Sequence, residues 1–141
     1  MPQSKYSDDV RLHLTFIQGI ITRMNSNSFS MKGWMVAIIS ALGAIYASNI
    51  YSPQSYVYLL IALAAVVVFW SLDAYYLKME QQYRDLFKDV LTHTEETDFN
   101  LNADGYKKTF WGALWSKSNW PLYLPFFLVF LVTALYLLIC T

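Results

Sequence analysis

Two long stretches of the chain contain no ionisable side chain, and they dominate its pattern of hydrophobic and polar positions. The first covers residues 33–72 and is interrupted only by a polar turn at 49–55, and the second covers residues 118–141. As a helix the first stretch would extend about 60 Å, at about 1.5 Å per residue. Because a bilayer hydrocarbon core is about 30 Å thick, the pattern predicts two crossings joined by a tight turn, followed by a third crossing.

A helical stripe of apolar residues precedes the first span. Ser7 followed by two aspartates is typical of a helix N-cap, and the stripe after it recurs every three or four residues. Its members are Val10, Leu14, Ile17, Ile21 and Met24, and Leu12, Phe16 and Ile20 broaden it. Its few basic residues favour packing on protein over lying in the membrane interface. The polar run at 25–28 predicts a turn, because such side chains compete for backbone hydrogen bonds.

The second span continues as a helix on its polar side. Beyond Asp73 an apolar stripe at helical spacing comprises Tyr76, Met79, Tyr83, Leu86 and Val90, and Glu80 and Arg84 have the i,i+4 spacing of an ion pair. This stripe and the N-terminal stripe are natural partners for each other. They would form a helical layer beneath the bilayer, either within one subunit or between subunits.

An aromatic and basic segment precedes the third span. Residues 94–104 lack helical periodicity and predict a loop, after which aromatic and lysine side chains suit a helix at headgroup depth. The predicted interfacial anchors are Trp111, Trp115, Trp120, Lys107 and Lys108. The fold expected is therefore an all-α membrane protein with three transmembrane helices. Its three parts are an amphipathic helix at 1–28, a two-span hairpin with extension and loop at 29–98, and an interfacial helix with the third span at 99–141.

The placement of charge predicts the topology. All ten basic residues lie before the first span or between the second and third, although the net charge is zero. The positive-inside rule therefore predicts a cytosolic N-terminus, a cytosolic segment at 73–118 and an external C-terminus. The zero net charge gives no reason to expect nucleic acid as a partner.

The residue types of catalytic and metal sites do not converge in this sequence. His13 and His93 have no second histidine or cysteine at ligand spacing, so a zinc site is not expected. Taking Asn100 as the first position of a calcium loop puts Gly105 correctly at the sixth, but Trp111 takes the place of the final glutamate. A turn at Asp104-Gly105 is favoured instead. We expect no cofactor and no enzymatic activity.

Asp73 is the most unusual polar residue, because a carboxylate at the end of a span must pair, face water or take part in function. It could reach headgroups or cap a helix, or it could form a ring of carboxylates at the mouth of an oligomeric pore. One face of the first span carries small residues at helical spacing: Gly33, Ala37, Ala41, Ala44 and Ser48. They predict close packing on another helix, either the second or third span or a helix of another subunit. The candidate pore mouth or assembly seam comprises Asp73, Lys32, Asn25, Asn27, Trp34, Tyr76, Glu80 and Arg84.

Three segments of the chain carry a resemblance to a known family. They are the run FIQGIITRMNSNSF with KGW at 16–34, the run FWSLDAYYL at 69–77 with Glu80 and Arg84, and WPLYLP at 120–125. They resemble the RipA-like octameric membrane proteins, a family of small bacterial inner-membrane proteins. The resemblance implies a ring-like homo-oligomer and brings no catalytic residues. The small-residue face and Asp73 leave two functions open: a pore or membrane-perturbing assembly that acts in stress or defence, or a scaffold that recruits a cytosolic protein or organises lipid without conductance.

Overall fold

Four helices make up the fold in the computed structural model, which describes residues 6–52, 54–92 and 97–140. They are α1 (Asp8–Ser48), α2 (Tyr56–Val90), α3 (Phe110–Leu114) and α4 (Trp120–Cys140), and the described residues contain no strand. Three of them, α1, α2 and α4, are long and apolar enough to cross a membrane. This confirms the all-helical class and the three predicted spans. Pro53 and His93 lie outside the described residues.

The first helix corrects the prediction of a turn at residues 25–28. α1 runs for 41 residues without interruption, so the N-terminal stripe and the first span belong to one helix, and the boundary predicted at residue 28 lies inside it. The hydroxyl of Ser30 donates to the carbonyl of Ser26 over 2.9 Å, and Thr22 donates to Gln18 in the same way. Hydroxyls on both sides of the polar run thus bond to the preceding helical turn, which does not break the helix.

An antiparallel hairpin of α1 and α2 forms the body of the molecule. The turn between them is closed by backbone bonds of Ser52 to Asn49 over 2.8 Å and of Ser55 to Ser52 over 3.0 Å, as the polar run at 49–55 predicts. The predicted N-cap is also present, since the Ser7 hydroxyl accepts from the amide of Val10 at 3.3 Å.

The two predicted apolar stripes pack against each other within one chain. Val10, Ile17 and Ile21 of α1 form a core with Leu86 and Val90 of α2. We call this part of the hairpin, residues 8–28 and 76–90, the basal layer. Of the two arrangements that the sequence allows, within or between subunits, the structure therefore has the first. Leu12 and Phe16, which broaden the predicted stripe, are instead 47% and 48% exposed.

The loop at 97–109 is fixed to the side of α2. Its Asp104-Gly105 turn is closed by the bond of the Tyr106 amide to the Ala103 carbonyl over 3.1 Å, as predicted. Gln82 donates to the Tyr106 carbonyl over 2.9 Å, and the Tyr106 hydroxyl donates to Asp89 over 2.8 Å. Partial burial, followed by the Asp89 carboxylate, raises the pKa of Tyr106 to about 12.

Lys108 makes a different contact from the one that the sequence predicts. Its ammonium lies 2.6 Å from Asp85, and this pairing keeps the pKa of the Asp85 carboxyl below its usual value. Asp85 follows Asp73 by twelve residues, or about 18 Å along α2. Lys108 therefore holds the loop to the basal layer, and the predicted role as a headgroup anchor does not describe its contact in this structure.

Candidate functional site: a buried ion pair where the spans end

Asp73 is fully buried at the polar end of the second span. Its carboxylate accepts three hydrogen bonds: from the Ser28 hydroxyl, from the Lys32 ammonium at 2.5 Å and from the Tyr123 hydroxyl at 3.0 Å. Ser28 and Lys32 are one turn apart on α1, and Tyr123 lies in the first turn of α4. A buried carboxylate needs such donors, because burying it unpaired would be very costly.

The ammonium of Lys32 is equally well satisfied. Besides Asp73 it donates to the Ser28 hydroxyl oxygen at 3.1 Å and to the side-chain oxygen of Asn119 at 3.2 Å. Asn119 is itself held by its amide, which donates to the Ala113 carbonyl at 3.3 Å. An ammonium has three donors, and each of them has an acceptor here. We call Ser28, Lys32, Asp73, Asn119 and Tyr123 the boundary network.

Aromatic packing covers the boundary network on the side of the apolar spans. The rings of Trp70 and Tyr123 are parallel within 3°, with centroids 5.9 Å apart, and Trp115 meets Trp70 edge-on at 5.5 Å. The indole of Trp70 donates to the carbonyl of Leu114 over 3.0 Å. This packing fixes the Tyr123 hydroxyl over Asp73, and it excludes water from the carboxylate.

The arrangement is suited to holding helices together, because the charged groups of the boundary network are bonded to one another. The boundary network joins α1, α2 and α4, which also share an apolar core. Removing one partner of a buried ion pair costs about 3–5 kcal/mol, so the network fixes the three spans strongly against one another. Both oxygens of Asp73 already accept hydrogen bonds, and neither is exposed to a ligand.

Other members of the predicted boundary set lie outside this network. Glu80 is buried and pairs with Arg84 at 2.6 Å, as their spacing predicts. Asn25 and Trp34 are exposed on the outside of α1, whereas Asn27 and Tyr76 are partly buried. The sequence thus predicts that Lys32 and Asp73 lie near the same membrane boundary, and the structure adds that they are in contact.

The pore-mouth interpretation of Asp73 is not supported by its position in the single chain. Its exposed fraction is 0%, and its neighbours belong to its own subunit. A ring of Asp73 carboxylates at a mouth would require the boundary network to open first.

The small-residue face of the first span points away from the rest of the chain. All five of its members are exposed: Gly33, Ala37, Ala41, Ala44 and Ser48. Neither α2 nor α4 covers this face, so helices of the same chain are excluded as the neighbour that the pattern predicts.

The predicted tryptophan anchors are also exposed. Trp111, Trp115 and Trp120 are 69%, 54% and 42% exposed, and Lys107 is exposed near them in sequence.

Three residues of the boundary network were not identified from the sequence as partners of Asp73. The sequence predicts a turn at Ser28 and gives no spacing signal that pairs Asn119 or Tyr123 with the carboxylate. A usable signal was present, because a buried carboxylate needs several donors and these side chains lie near the ends of the other two spans. Which donors meet the Asp73 carboxylate depends on their depth in the membrane. Sequence spacing does not reveal this depth for residues that are 45 to 50 positions apart.

Comparison with known proteins identifies no relative: no family model, no curated protein and no solved structure matches this chain.

Proposed function

We propose that this protein is a homo-oligomeric, non-enzymatic membrane scaffold of the bacterial inner membrane, with its N-terminus and basal layer in the cytosol and its C-terminus outside. The observation that carries the proposal is the outward exposure of the whole small-residue face of α1. The distribution of lysine and arginine supports the orientation.

Small side chains matter here because lipid does not drive helices together as water does. In a bilayer, association depends on close packing between helices, and small residues allow the backbones to approach. The helices of the same chain leave this face uncovered. It therefore favours contact with α1 or with another helix of a neighbouring subunit. The resemblance to RipA-like octameric proteins would make this assembly a ring.

The basal layer offers the surface that a scaffold needs. Leu12 and Phe16 are about half exposed on the outside of α1 and suit contact with a cytosolic protein. The exposed tryptophans Trp111, Trp115 and Trp120 suit the headgroup region and would organise lipid around the assembly. The chain has no excess of basic charge that would favour nucleic acid.

A pore is the second candidate, and the serines on the exposed surface of α1 favour it. Ser40 and Ser48 are exposed within the span, and in a ring they could face a water-filled path instead of a neighbour. Asp73 would contribute to ion selectivity only if its bonds to Lys32 and Tyr123 were broken. The same outward face therefore serves either function, and conductance separates them.

The assembly is tested by native mass spectrometry of the protein released from nanodiscs. Ala41→Leu should reduce the subunit number, because a bulky side chain on the small-residue face keeps the helices apart. Ala64→Leu is the matched control, since Ala64 is an exposed alanine of α2 outside that face. A monomeric wild type, or equal subunit numbers in both variants, would contradict the proposal.

Conductance is measured on the intact assembly in liposomes over a range of voltage and pH. A scaffold should pass no more ions than empty vesicles. If wild type conducts ions, and Ala41→Leu abolishes this flux while Ala64→Leu preserves it, the protein is a pore and not a scaffold.

A further inference from the structure

A cavity of about 470 Å³ lies at the end of the hairpin opposite the basal layer. The turn between α1 and α2, the beginning of α2 and the end of α4 line it. Its walls are mainly apolar, with Ile50 and Tyr56 from the hairpin and Leu138 from α4. Sites for small molecules commonly have volumes of about 300–1,000 Å³, so this cavity has the size of a ligand site.

The cavity is continuous with a surface that the membrane covers. α4 is long and apolar enough to cross a membrane, and the rest of the chain leaves the apolar side chains near its end uncovered. Leu138 and Ile139 are 72% and 81% exposed, and Leu138 also lines the cavity. A hydrocarbon chain therefore reaches the cavity from the bilayer without crossing water.

Ser55 brings an unused hydrogen-bonding group into this apolar wall. The residue is 6% exposed and lines the cavity, and its hydroxyl makes no hydrogen bond within the part of the chain that the structure describes. Its backbone is already helical, with φ −60° and ψ −30°, so the side chain does not cap α2 as that of an extended N-cap residue would. Leaving a buried hydroxyl without a partner costs free energy, and this cost favours a ligand that supplies an acceptor.

The cavity offers hydrogen-bond donors and no charge. Ser52 also lines it, and its oxygen accepts the Gln54 amide at 3.4 Å while its proton is left for a ligand. The described residues that line the cavity include no lysine, arginine, histidine or carboxylate. Because a buried phosphate or carboxylate needs a charged partner, the acceptor that fits here is a neutral one.

We propose that this cavity holds a phospholipid of the surrounding bilayer, with an ester carbonyl oxygen accepting from Ser55 and an acyl chain lying against Ile50 and Leu138. A carbonyl oxygen only accepts, which matches the hydroxyl donors of Ser55 and Ser52. The depth agrees as well, because the polar turn at 49–55 ends the spans and ester groups lie where hydrocarbon meets headgroups. In the orientation proposed above this is the external leaflet. The site does not include the exposed tryptophans, and it does not depend on the number of subunits.

Two serines of the hairpin provide a variant and its matched control. Ser55→Ala removes the proposed donor and leaves the fold intact, because the hydroxyl makes no hydrogen bond to the described residues. Ser71 lies in α2 and does not line the cavity, and its hydroxyl donates to the Val67 carbonyl at 2.8 Å. Ser71→Ala therefore removes a hydroxyl that already has a partner, whereas Ser55→Ala removes one that has none.

The experiment is native mass spectrometry of the full chain, delipidated in mild detergent and titrated with dioleoyl phosphatidylcholine or with its diether analogue. The diether has the same headgroup and chain length but lacks the ester carbonyls. Wild type should bind the ester lipid saturably and about two- to tenfold more tightly than the diether, which is the effect of one neutral hydrogen bond. Ser55→Ala should abolish this preference, and Ser71→Ala should preserve it. Circular dichroism confirms that both variants remain helical.

The proposal fails if wild type binds no lipid saturably, or if it binds the ester and the diether lipid equally. It also fails if Ser55→Ala retains the preference, or if Ser71→Ala abolishes it to the same extent. An ester preference that appears only in Ala41→Leu would show instead that a second copy of the chain covers the cavity in the assembly. The preference compares two lipids on the same protein, so failure of this proposal is distinguishable from failure of the scaffold.

Discussion

Replacing Lys32 by methionine should destabilise the protein more than the same replacement at any other lysine that reaches the surface. Methionine keeps most of the length and apolar stem of lysine but removes the charge. The carboxylate of Asp73 would remain fully buried, with hydrogen bonds from Ser28 and Tyr123 only. The variant therefore isolates the ion pair from the packing of the side chain.

The expected cost follows from the burial of the two partners. Breaking a buried pair by removing one member costs about 3–5 kcal/mol. The Lys32 side chain is 20% exposed and that of Asp73 is 0% exposed, so water compensates the lysine partly and the carboxylate not at all. We expect the lower end of the range, about 3 kcal/mol. Loss of one hydrogen bond alone would cost about 1.5–3 kcal/mol, since the acceptor is charged.

Reversible unfolding in mixed micelles of dodecyl maltoside and sodium dodecyl sulfate, followed by circular dichroism, measures this free energy. Lys88→Met is the matched control, because Lys88 lies 3.4 Å from Asp85 with 75% of its side chain exposed. An exposed pair of this kind contributes about 0–1 kcal/mol. The two substitutions are identical in chemistry and differ in the burial of the ion pair.

A double-mutant cycle decides whether the pair itself is responsible. Lys32→Met and Asp73→Asn should each be destabilising, and their combination should cost clearly less than the sum, since the second change removes the charge that the first leaves unpaired. Strictly additive effects would refute the reasoning. So would a cost for Lys32→Met no larger than that of Lys88→Met.

Two further predictions concern tyrosines, one in the boundary network and one against the basal layer. Tyr123→Phe should lower the free energy of unfolding by about 1.5–3 kcal/mol in the same assay, because it removes one hydrogen bond to Asp73 and keeps the stacking on Trp70. No measurable loss of stability would mean that the hydroxyl does not bond to the carboxylate. The pKa of Tyr106 is raised from 10.0 to about 12, so its contribution to stability is complete below pH 10 and is lost as the pH rises towards 12. The difference in melting temperature between wild type and Tyr106→Phe should therefore shrink over that interval, and a constant difference would contradict the Asp89 bond.

Periodicity predicted those parts of the fold that depend on one face of one helix. The stripe from Val10 to Ile21 and the stripe that ends at Val90 do face each other, because apolar side chains at helical spacing must be buried together. The charge-free runs likewise predicted the spans. These signals are local, because they can be read from one segment without knowing which other helices pack against it.

The prediction of a turn at 25–28 is wrong, and one reason is that Ser28 has a partner that the sequence does not display. Serine and asparagine disfavour helix interiors only when their hydrogen bonds compete with the backbone. Here the hydroxyl of Ser28 bonds to Asp73, which lies 45 residues away, and Ser30 bonds within the helix. Tertiary contacts thus override a weak local preference, and one helix replaces the predicted helix, turn and span.

The position of the boundary network suggests what a buried ion pair contributes that apolar packing cannot. Apolar burial has no preferred direction, so it defines the relative depth of two helices less sharply than hydrogen bonds and charges do. Lys32, Asp73 and Tyr123 satisfy one another at a single relative depth of α1, α2 and α4, and a shift of one turn, about 5.4 Å, would leave a buried charge unpaired. We therefore expect the pair to fix register more than to add stability. An apolar double replacement, Lys32→Met with Asp73→Leu, should then unfold near the wild-type midpoint, yet show a mixture of helix depths by cysteine accessibility at residue 34. A single depth would assign the register to Trp70 and its aromatic neighbours instead.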